Sequence, residues 1–145
     1  MFTRIDHVGI ACHDLESAVE RYTTTFGLTV VARETHEDQG VHEAMLVVHD
    51  GADSPTALGG SYVQLLQPTR PDSPVGKFLA RHGEGLHHVG YGVADVTAAL
   101  AAIAGQGVRL VDERPRHGSM GAAIAFLHPK DLGGVLTELV EAPRR

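Results

Sequence analysis

The sequence lacks tryptophan, has a single cysteine and contains few aromatic residues. Among its 145 residues there is no Trp, Cys12 is the one cysteine, and aromatic side chains make up 5%. A single cysteine cannot form an internal disulfide, so the chain is not a disulfide-stabilised scaffold. No run of about 18 apolar residues occurs, so no membrane span is expected. Since no basic and apolar leader opens the sequence, we expect a cytoplasmic protein.

Basic residues are also scarce. The chain has 12 Lys and Arg against 18 Asp and Glu, a net charge of −6, and its one basic run is the terminal Arg144-Arg145. A nucleic-acid surface is therefore not expected, and any anionic ligand must be held by local charge. The hydrophobic content of 43% is ordinary for a globular protein. We expect residues 1–145 to form one functional unit.

The sequence contains an internal repeat. The tripeptide His7-Val8-Gly9 recurs as His88-Val89-Gly90, 81 residues later (88 minus 7). The same offset relates four pairs of identical residues: Asp14 and Asp95, Gly40 and Gly121, Ala44 and Ala125, Leu46 and Leu127. Further along, the offset shrinks to 74 (138 minus 64), which pairs Gln64 with Glu138. A longer loop at 50–60 in the first copy accounts for the change, and the pattern indicates a duplicated unit.

Each copy has the pattern of one strand, one helix and three further strands. Apolar residues alternate along the predicted strands and recur at helical spacing after Asp14 and Asp95, the predicted helix N-caps. The first helix is predicted to end near Gly27, with an apolar stripe that includes Phe26, and the second near Gly105. The predicted strands are 4–11, 28–33, 41–48 and 61–67 in the first copy, and 86–93, 108–112, 122–127 and 135–140 in the second.

These elements predict an α+β fold of two tandem βαβββ modules. The modules span about 4–67 and 85–141, and a linker at 68–84 carries a short helix capped by Ser73 with Pro74 at its first position. Together they would form an incomplete eight-stranded sheet with the helices outside.

The duplication places four metal-binding side chains at equivalent positions. His7 and His88 would lie at equivalent places on two strands, and Gln64 and Glu138 are lone polar residues on otherwise apolar strand faces. Two imidazoles, one amide oxygen and one carboxylate form a mixed N/O set that suits a divalent first-row metal. With one carboxylate the bound ion keeps a positive charge, which favours an anionic ligand and a Lewis-acid role on a carbonyl.

Glu43 is the candidate general base. It shares a strand face with Met45 and Val47, and its counterpart at offset 81 is Ile124. The two copies therefore differ where a base is needed, and an apolar environment would raise the pKa of this carboxyl toward a useful value.

Four segments carry a resemblance to a known family. They are Asp6-His7-Val8-Gly9-Ile10, Asp38-Gln39-Gly40-Val41-His42-Glu43, Gly83-Glu84-Gly85-Leu86-His87-His88 and the stretch from His128-Pro129-Lys130 to Glu138-Leu139. From about Ile5 to Glu141 the chain resembles the methylmalonyl-CoA epimerase family of the vicinal oxygen chelate superfamily.

The resemblance implies a function and a site. It implies an isomerase that interconverts (2R)- and (2S)-methylmalonyl-CoA by removing the α-proton, through an enolate stabilised by metal chelation. The matching ligands are His7, Gln64, His88 and Glu138, and the matching acid/base residues are Glu43 and, in a second role, Glu138. The expected ion is divalent, cobalt first, with Mn, Ni, Zn or Mg as alternatives, and a homodimer is expected.

Other functions on the same scaffold remain open. A glyoxalase I-like lyase would share the proton-transfer chemistry, but its site typically has two carboxylate ligands, so Gln64 counts against it. An extradiol dioxygenase would need two histidines, one glutamate and redox-active iron. A metal-free small-molecule-binding protein would have no reason to keep all four ligands and Glu43. No phosphate motif marks a coenzyme A site.

Overall fold

The structure is a computed structural model that describes residues 1–48 and 61–143. The predicted loop at 50–60 and the terminal Arg144-Arg145 lie outside the described residues. The elements are, in chain order, β1 Phe2–Ala11, α1 Leu15–Phe26, β2 Thr29–His36, β3 Val41–Val48, β4 Ser61–Pro68, α2 Pro74–His82, β5 Gly85–Val93, α3 Val96–Gly105, β6 Arg116–His117, β7 Ala123–Leu127 and β8 Thr137–Glu141. Short 3-10 turns lie at Ser119–Gly121 and Pro129–Asp131.

Two compact units make up the chain. The central unit is Val8–His87, and the terminal unit combines Met1–His7 with His88–Arg145. In the central unit the hydrogen-bonded strand order is β2-β3-β4-β1, and in the terminal unit it is β1-β5-β8-β7-β6. The boundary between the units falls within β1, with residues 2–7 in the terminal unit and 8–11 in the central unit. The strand set and its two βαβββ runs confirm the predicted fold class.

The helices begin where the sequence predicts. Asp14 and Asp95 accept hydrogen bonds from the backbone N–H groups of Ser17 and Ala98, at 3.1 and 2.8 Å, and thereby cap α1 and α3. Helix α2 is capped in the same way by Ser73, with Pro74 at its first position. Helix α1 ends at Gly27, whose φ of 72° is the left-handed conformation that favours glycine.

Each unit has its own apolar core against a helix. In the central unit α1 packs on the sheet through a cluster of Cys12, Leu15, Ala18, Val19, Ala44, Leu46, Val63 and Leu65. In the terminal unit α3 packs through Val93, Val96, Ala99, Leu100, Ile103, Ala125, Leu127 and Leu139. The predicted helical stripe is wrong at Phe26, which is exposed at the last turn of α1.

The strand registers confirm the duplication. In the central unit Met45 pairs with Gln64, and in the terminal unit Phe126 pairs with Glu138, which are the positions that the two offsets relate. The related glycines Gly40 and Gly121 both have positive φ, 65° and 74°. The two copies therefore keep a positive φ at the equivalent glycine and the same register at the equivalent residue pairs.

The predicted strand at 108–112 is wrong. Leu110 forms only an isolated bridge with Leu127, and the strand that pairs with β7 is β6, a few residues later. Two N–H groups, of Val111 and Asp112, donate to the Phe126 carbonyl, while the Asp112 carboxylate accepts the Phe126 N–H. A side-chain carboxylate thus replaces the backbone partner that a regular strand would supply.

Strand β2 is longer than predicted and contains a β-bulge. The prediction ended at Arg33, but the strand continues to His36. The register shifts between Val30, which pairs with Leu46, and Ala32, which pairs with Met45. Successive strand residues face opposite sides, so one extra residue reverses the side that each later residue faces. Ala32, Glu34 and His36 therefore share the face of Met45.

Within the described residues, no helix is both long and apolar enough to cross a bilayer.

Removal of either duplicated cap tests the equivalence of the copies. We expect Asp14→Ala and Asp95→Ala each to lower the free energy of unfolding by about 1 kcal/mol, because each removes one N-cap hydrogen bond. Chemical denaturation followed by circular dichroism would measure the change. Asp14→Asn and Asp95→Asn are the matched controls, since an amide oxygen also caps. Equal losses in the Asn and Ala variants would show that charge, rather than the hydrogen bond, stabilises the helix ends.

Candidate active site

His7, His88 and Glu138 meet in the terminal unit. The Nε2 atoms of His7 and His88 are 3.0 Å apart, and Glu138 Oε2 lies 2.9 Å from His88 Nε2 and 3.3 Å from His7 Nε2. The three residues are only 4%, 3% and 5% exposed. Three of the four predicted ligands are thus brought together with their donor atoms facing one another.

A glycine makes this approach possible. Strands β5 and β8 run parallel, and Gly90 pairs with Glu138. A Cβ atom at position 90 would lie 2.5 Å from Nδ1 of the His7 ring and within contact distance of its Cε1. The His7 ring therefore occupies the space that any larger residue at 90 would need.

A chain of polar contacts orients the His7 ring. Its Nδ1 lies 2.8 Å from Asp6 Oδ1, and Arg4 donates to the other Asp6 oxygen through Nη2 at 2.8 Å and Nε at 3.2 Å. Gly92 leaves room for the Arg4 side chain, which a Cβ there would meet at 2.6 Å. Donation from Nδ1 to Asp6 leaves Nε2 directed at His88 and Glu138, as an outer carboxylate does for metal-binding histidines.

The cluster perturbs the ionisation of its members. Burial opposes the charged form of His7, but the charge of Glu138 and the hydrogen bonds of Asp6 and Glu138 outweigh it and raise the pKa of His7 to about 10. Burial would likewise raise the pKa of Glu138, yet the charge of His7 and hydrogen bonds from both histidines hold that pKa well below its usual range. In the metal-free protein His7 is therefore protonated and Glu138 ionised.

The donor set fits a divalent metal ion. One ligand atom from each of the three residues lies within 4.8 Å of the others, and all three residues are buried. Imidazole nitrogen and carboxylate oxygen together suit Zn, Co, Ni or Mn. Phe126 borders the cluster, with its ring centroid 5.3 Å from that of His88 in an edge-to-face arrangement. The terminal unit can thus supply a three-residue metal site with one aromatic wall.

Glu43 and Gln64, the remaining predicted site residues, lie together in the central unit. Glu43 is 1% exposed, and the Gln64 side-chain amide donates a hydrogen bond to Glu43 Oε2. Glu43 and Met45 are two residues apart on β3, so they face the same side of the strand. Gln64 is the cross-strand partner of Met45, and Leu66 is that of Glu43. Glu43 and Gln64 therefore share one face of the β3–β4 pair. The role of Gln64 as a metal ligand stays a prediction.

Sequence reasoning missed three polar residues beside the predicted ones. Asp6 and Arg4 support His7, and His36 contacts Glu43, with its Nε2 2.7 Å from Glu43 Oε1. His36 was missed because β2 was ended too early. Arg33-Glu34-Thr35-His36 are all polar, so no apolar alternation in the sequence extends the strand to His36. The alternation of half-buried and exposed residues through Glu34 and His36 is visible only in the structure.

Comparison with known proteins identifies the family. Residues 6–126 match the Glyoxalase/Bleomycin resistance protein/Dioxygenase superfamily. An ethylmalonyl-CoA/methylmalonyl-CoA epimerase from Cereibacter sphaeroides is 35% identical over 96% of this chain and 98% of its own length.

Solved structures agree with this match. A variant of Streptomyces coelicolor methylmalonyl-CoA epimerase, in complex with 2-nitronate-propionyl-CoA, has a TM-score of 0.92 and 55% identity, and the alignment covers 99% of this chain and 100% of that one. A methylmalonyl-CoA epimerase in complex with methylmalonyl-CoA and NH4+ has a TM-score of 0.90 and 56% identity, over 98% of this chain and 96% of that one.

The fold is that of a vicinal oxygen chelate protein, and the His/His/Glu cluster is a group that could hold a metal ion. The chain belongs to the glyoxalase, bleomycin resistance protein and dioxygenase superfamily and, within it, to the methylmalonyl-CoA epimerase family. The expected family and the expected enzyme class, an isomerase, are confirmed.

Enlarging Gly90 should disable the His7 site. We expect Gly90→Ala to weaken divalent-metal affinity by about tenfold or more, because the new Cβ must displace the His7 ring and ligand atoms must be held accurately. Titration of the purified, metal-free protein with Co²⁺ or Zn²⁺ would measure this.

Gly105→Ala is the matched control, since a Cβ at position 105 of α3 meets no atom within 4 Å. It should bind metal like the wild type. Wild-type affinity in Gly90→Ala would show that His7 is not a ligand.

The raised pKa of His7 predicts that metal and proton compete for its ring. A ligating imidazole must be neutral, so at pH 7 metal binding should release about one proton from His7. Because the pKa is about 10, release should decrease as pH rises through that value, and metal affinity should increase from pH 7 to 10. Calorimetry in buffers of different ionisation enthalpy counts the protons. Binding without proton release at pH 7 would contradict this assignment.

Proposed function

We propose that this chain is a metal-dependent epimerase that interconverts the (2R) and (2S) forms of methylmalonyl-CoA. The observation that carries the proposal is the buried cluster of His7, His88 and Glu138, in a family whose relatives include an epimerase solved with methylmalonyl-CoA bound. Epimerisation at the carbon between a thioester and a carboxylate requires removal of a weakly acidic proton. A site for this reaction needs a means to stabilise negative charge and a base in reach of carbon.

His7, His88 and Glu138 would hold the ion, with Gln64 proposed as the fourth ligand. A divalent ion bound there would act as a Lewis acid toward the substrate oxygens and stabilise the charge that develops when the proton leaves. The protein's part is to keep the ligands in place: Asp6 holds the His7 ring through Nδ1, and Gly90 leaves space for it. With a single carboxylate among the ligands, the site keeps a net positive charge that favours an anionic substrate.

Glu43 is the proposed base. It is buried on an apolar strand face, and both of its carboxylate oxygens accept hydrogen bonds, from His36 and from Gln64. Such donors stabilise the ionised form and offset the cost of burial, so that the carboxylate can accept a proton. The copy-related position is Ile124, so only the first copy has a carboxylate there.

The return of the proton to the opposite face needs a second group, and Glu138 is the proposed one. Its lowered pKa in the metal-free protein makes it a poor proton donor there. Its charge and position among the histidines suit it better to holding the ion. Deuterium exchange at C2, measured from one epimer at a time, therefore distinguishes an acid/base role of Glu138 from a role as metal ligand alone.

Metal identity, oligomeric state and the contacts to coenzyme A stay predictions. Cobalt is the first expectation, with Mn, Ni, Zn or Mg as alternatives, and a homodimer is expected. Ethylmalonyl-CoA is a second substrate to test, because the Cereibacter sphaeroides relative is named for both substrates.

Two other functions are less well supported. A glyoxalase I-like lyase would need a second carboxylate where the chain has Gln64. A metal-free binding protein would bury His7, His88 and Glu138 together without using them, and burying ionisable groups is costly unless they are paired for a purpose.

Replacement of Glu43 tests the mechanism. We expect Glu43→Gln to slow epimerisation by about 10²- to 10⁴-fold, because the amide cannot take up the α-proton. Deuterium uptake at C2 should be measured separately from (2R)- and (2S)-methylmalonyl-CoA, with and without chelator. The epimer whose proton faces Glu43 should lose exchange, while the other keeps it if Glu138 acts as the second base.

Glu37→Gln is the matched control, because Glu37 is an exposed carboxylate in the same β2–β3 hairpin. It should keep wild-type turnover, and all variants should bind the same amount of metal. Wild-type exchange from both epimers in Glu43→Gln would refute the base assignment, and turnover that survives complete metal removal would refute the metal dependence.

A further inference from the structure

The bulge in β2 brings a histidine to the face that carries Glu43. Before the bulge, Val30 packs with the α1 core cluster and pairs with Leu46. After it, Glu34 pairs with Glu43 and His36 with Val41, so the half-buried residues that follow the bulge share the Glu43 face. Bulges commonly redirect side chains beside active sites, and without the extra residue His36 would face away from Glu43.

His36 and Gln64 hold Glu43 from two sides. His36 Nε2 lies 2.7 Å from Oε1 of Glu43, and the Gln64 amide donates to Oε2. One donor comes from β2 and the other from β4, the two strands that flank β3. A carboxylate held at both oxygens by donors from opposite sides has its plane and its rotamer fixed.

The surroundings of His36 favour this contact. The hydrogen bond to Glu43 raises the pKa of His36, against the effect of burial, and the charges of Glu43, Glu34 and Asp38 act in the same direction. Glu34 Oε2 lies 3.6 Å from the same Nε2, on the more exposed side. The His36 side chain is 17% exposed, whereas that of Glu43 is 1% exposed. His36 thus closes the outer side of the buried carboxylate.

We propose that His36 is a positioning residue that fixes the Glu43 carboxylate in the orientation needed for proton abstraction. This inference rests on the proposed function, in which Glu43 is the base. A base must be aligned with the C–H bond that it attacks, and small misplacements of reacting groups cost large factors in rate. Because His36 acts on Glu43, its loss should reduce the chemical step and leave substrate binding nearly intact.

The test compares two replacements of His36. We expect His36→Leu, which removes the donor, to lower kcat by roughly 10- to 100-fold with KM changed by less than about threefold. His36→Gln carries an amide N–H that can reach Oε1, and it should recover most of the kcat. Metal content and thermal stability should be measured for each variant, so that turnover is compared between folded, equally loaded proteins.

His42→Leu is the matched control. His42 lies on the neighbouring position of β3, is exposed, and exchanges a 2.8 Å hydrogen bond with Thr35 across the same strand pair. It therefore tests the loss of a cross-strand histidine contact that does not involve Glu43, and kcat should stay at the wild-type value. A loss in His42→Leu equal to that in His36→Leu would show a general effect on the hairpin and overturn the proposal.

The outcomes separate the two hypotheses. Wild-type kcat in His36→Leu would overturn the positioning role while the proposed function stands. Absence of α-proton exchange in the fully metal-loaded wild type would overturn the proposed function, and the positioning role with it.

NMR of ¹⁵N-labelled histidine tests the contact itself: the His36 Nε2 signal should shift in Glu43→Gln and not in Glu37→Gln. An unchanged signal would show that the contact does not form.

Discussion

The close approach of the His7 ring to the backbone at Gly90 is the constraint on which the cluster of His7, His88 and Glu138 depends. Because no Cβ separates them, the ring lies over β5, and its Nε2 comes within 3.0 Å of His88 Nε2 and 3.3 Å of Glu138 Oε2. Three polar groups buried at such distances are costly unless they are charge-paired or share an ion. The same geometry thus sets the ionisation of His7 and Glu138 and makes the cluster suitable for a cation.

Duplication places the candidate metal ligands at copy-related positions, and the copies diverge at the proposed base. Equivalent registers place Gln64 opposite Met45 in one copy and Glu138 opposite Phe126 in the other. The metal-binding candidates therefore occur at copy-related positions. The proposed base does not, since Glu43 corresponds to Ile124, a buried core residue. A proton-transfer group for the other face of the carbon must therefore come from a position other than 124.

The buried side chains of His7 and Glu43 are both held by polar neighbours. His7 is held by Asp6, which Arg4 holds in turn, and Glu43 is held by His36 and Gln64. In each case a polar side chain nearer to solvent fixes the orientation of one that is buried. Orientation of this kind supplies accuracy, because a buried group with a fixed rotamer needs no rearrangement when substrate binds.

The sequence alone determined the order of helices and strands, the caps at Asp14 and Asp95, and the copy-related pairs His7/His88 and Gln64/Glu138. These depend on local periodicity and on a constant offset, which are readable without a fold. The bulge that directs His36 to Glu43 and the failure of 108–112 to form a strand were decided only by the tertiary structure. Both depend on which distant backbone or side-chain group satisfies a hydrogen bond. The Asp112 carboxylate, for example, accepts the Phe126 N–H. The local sequence pattern does not indicate which distant group that will be.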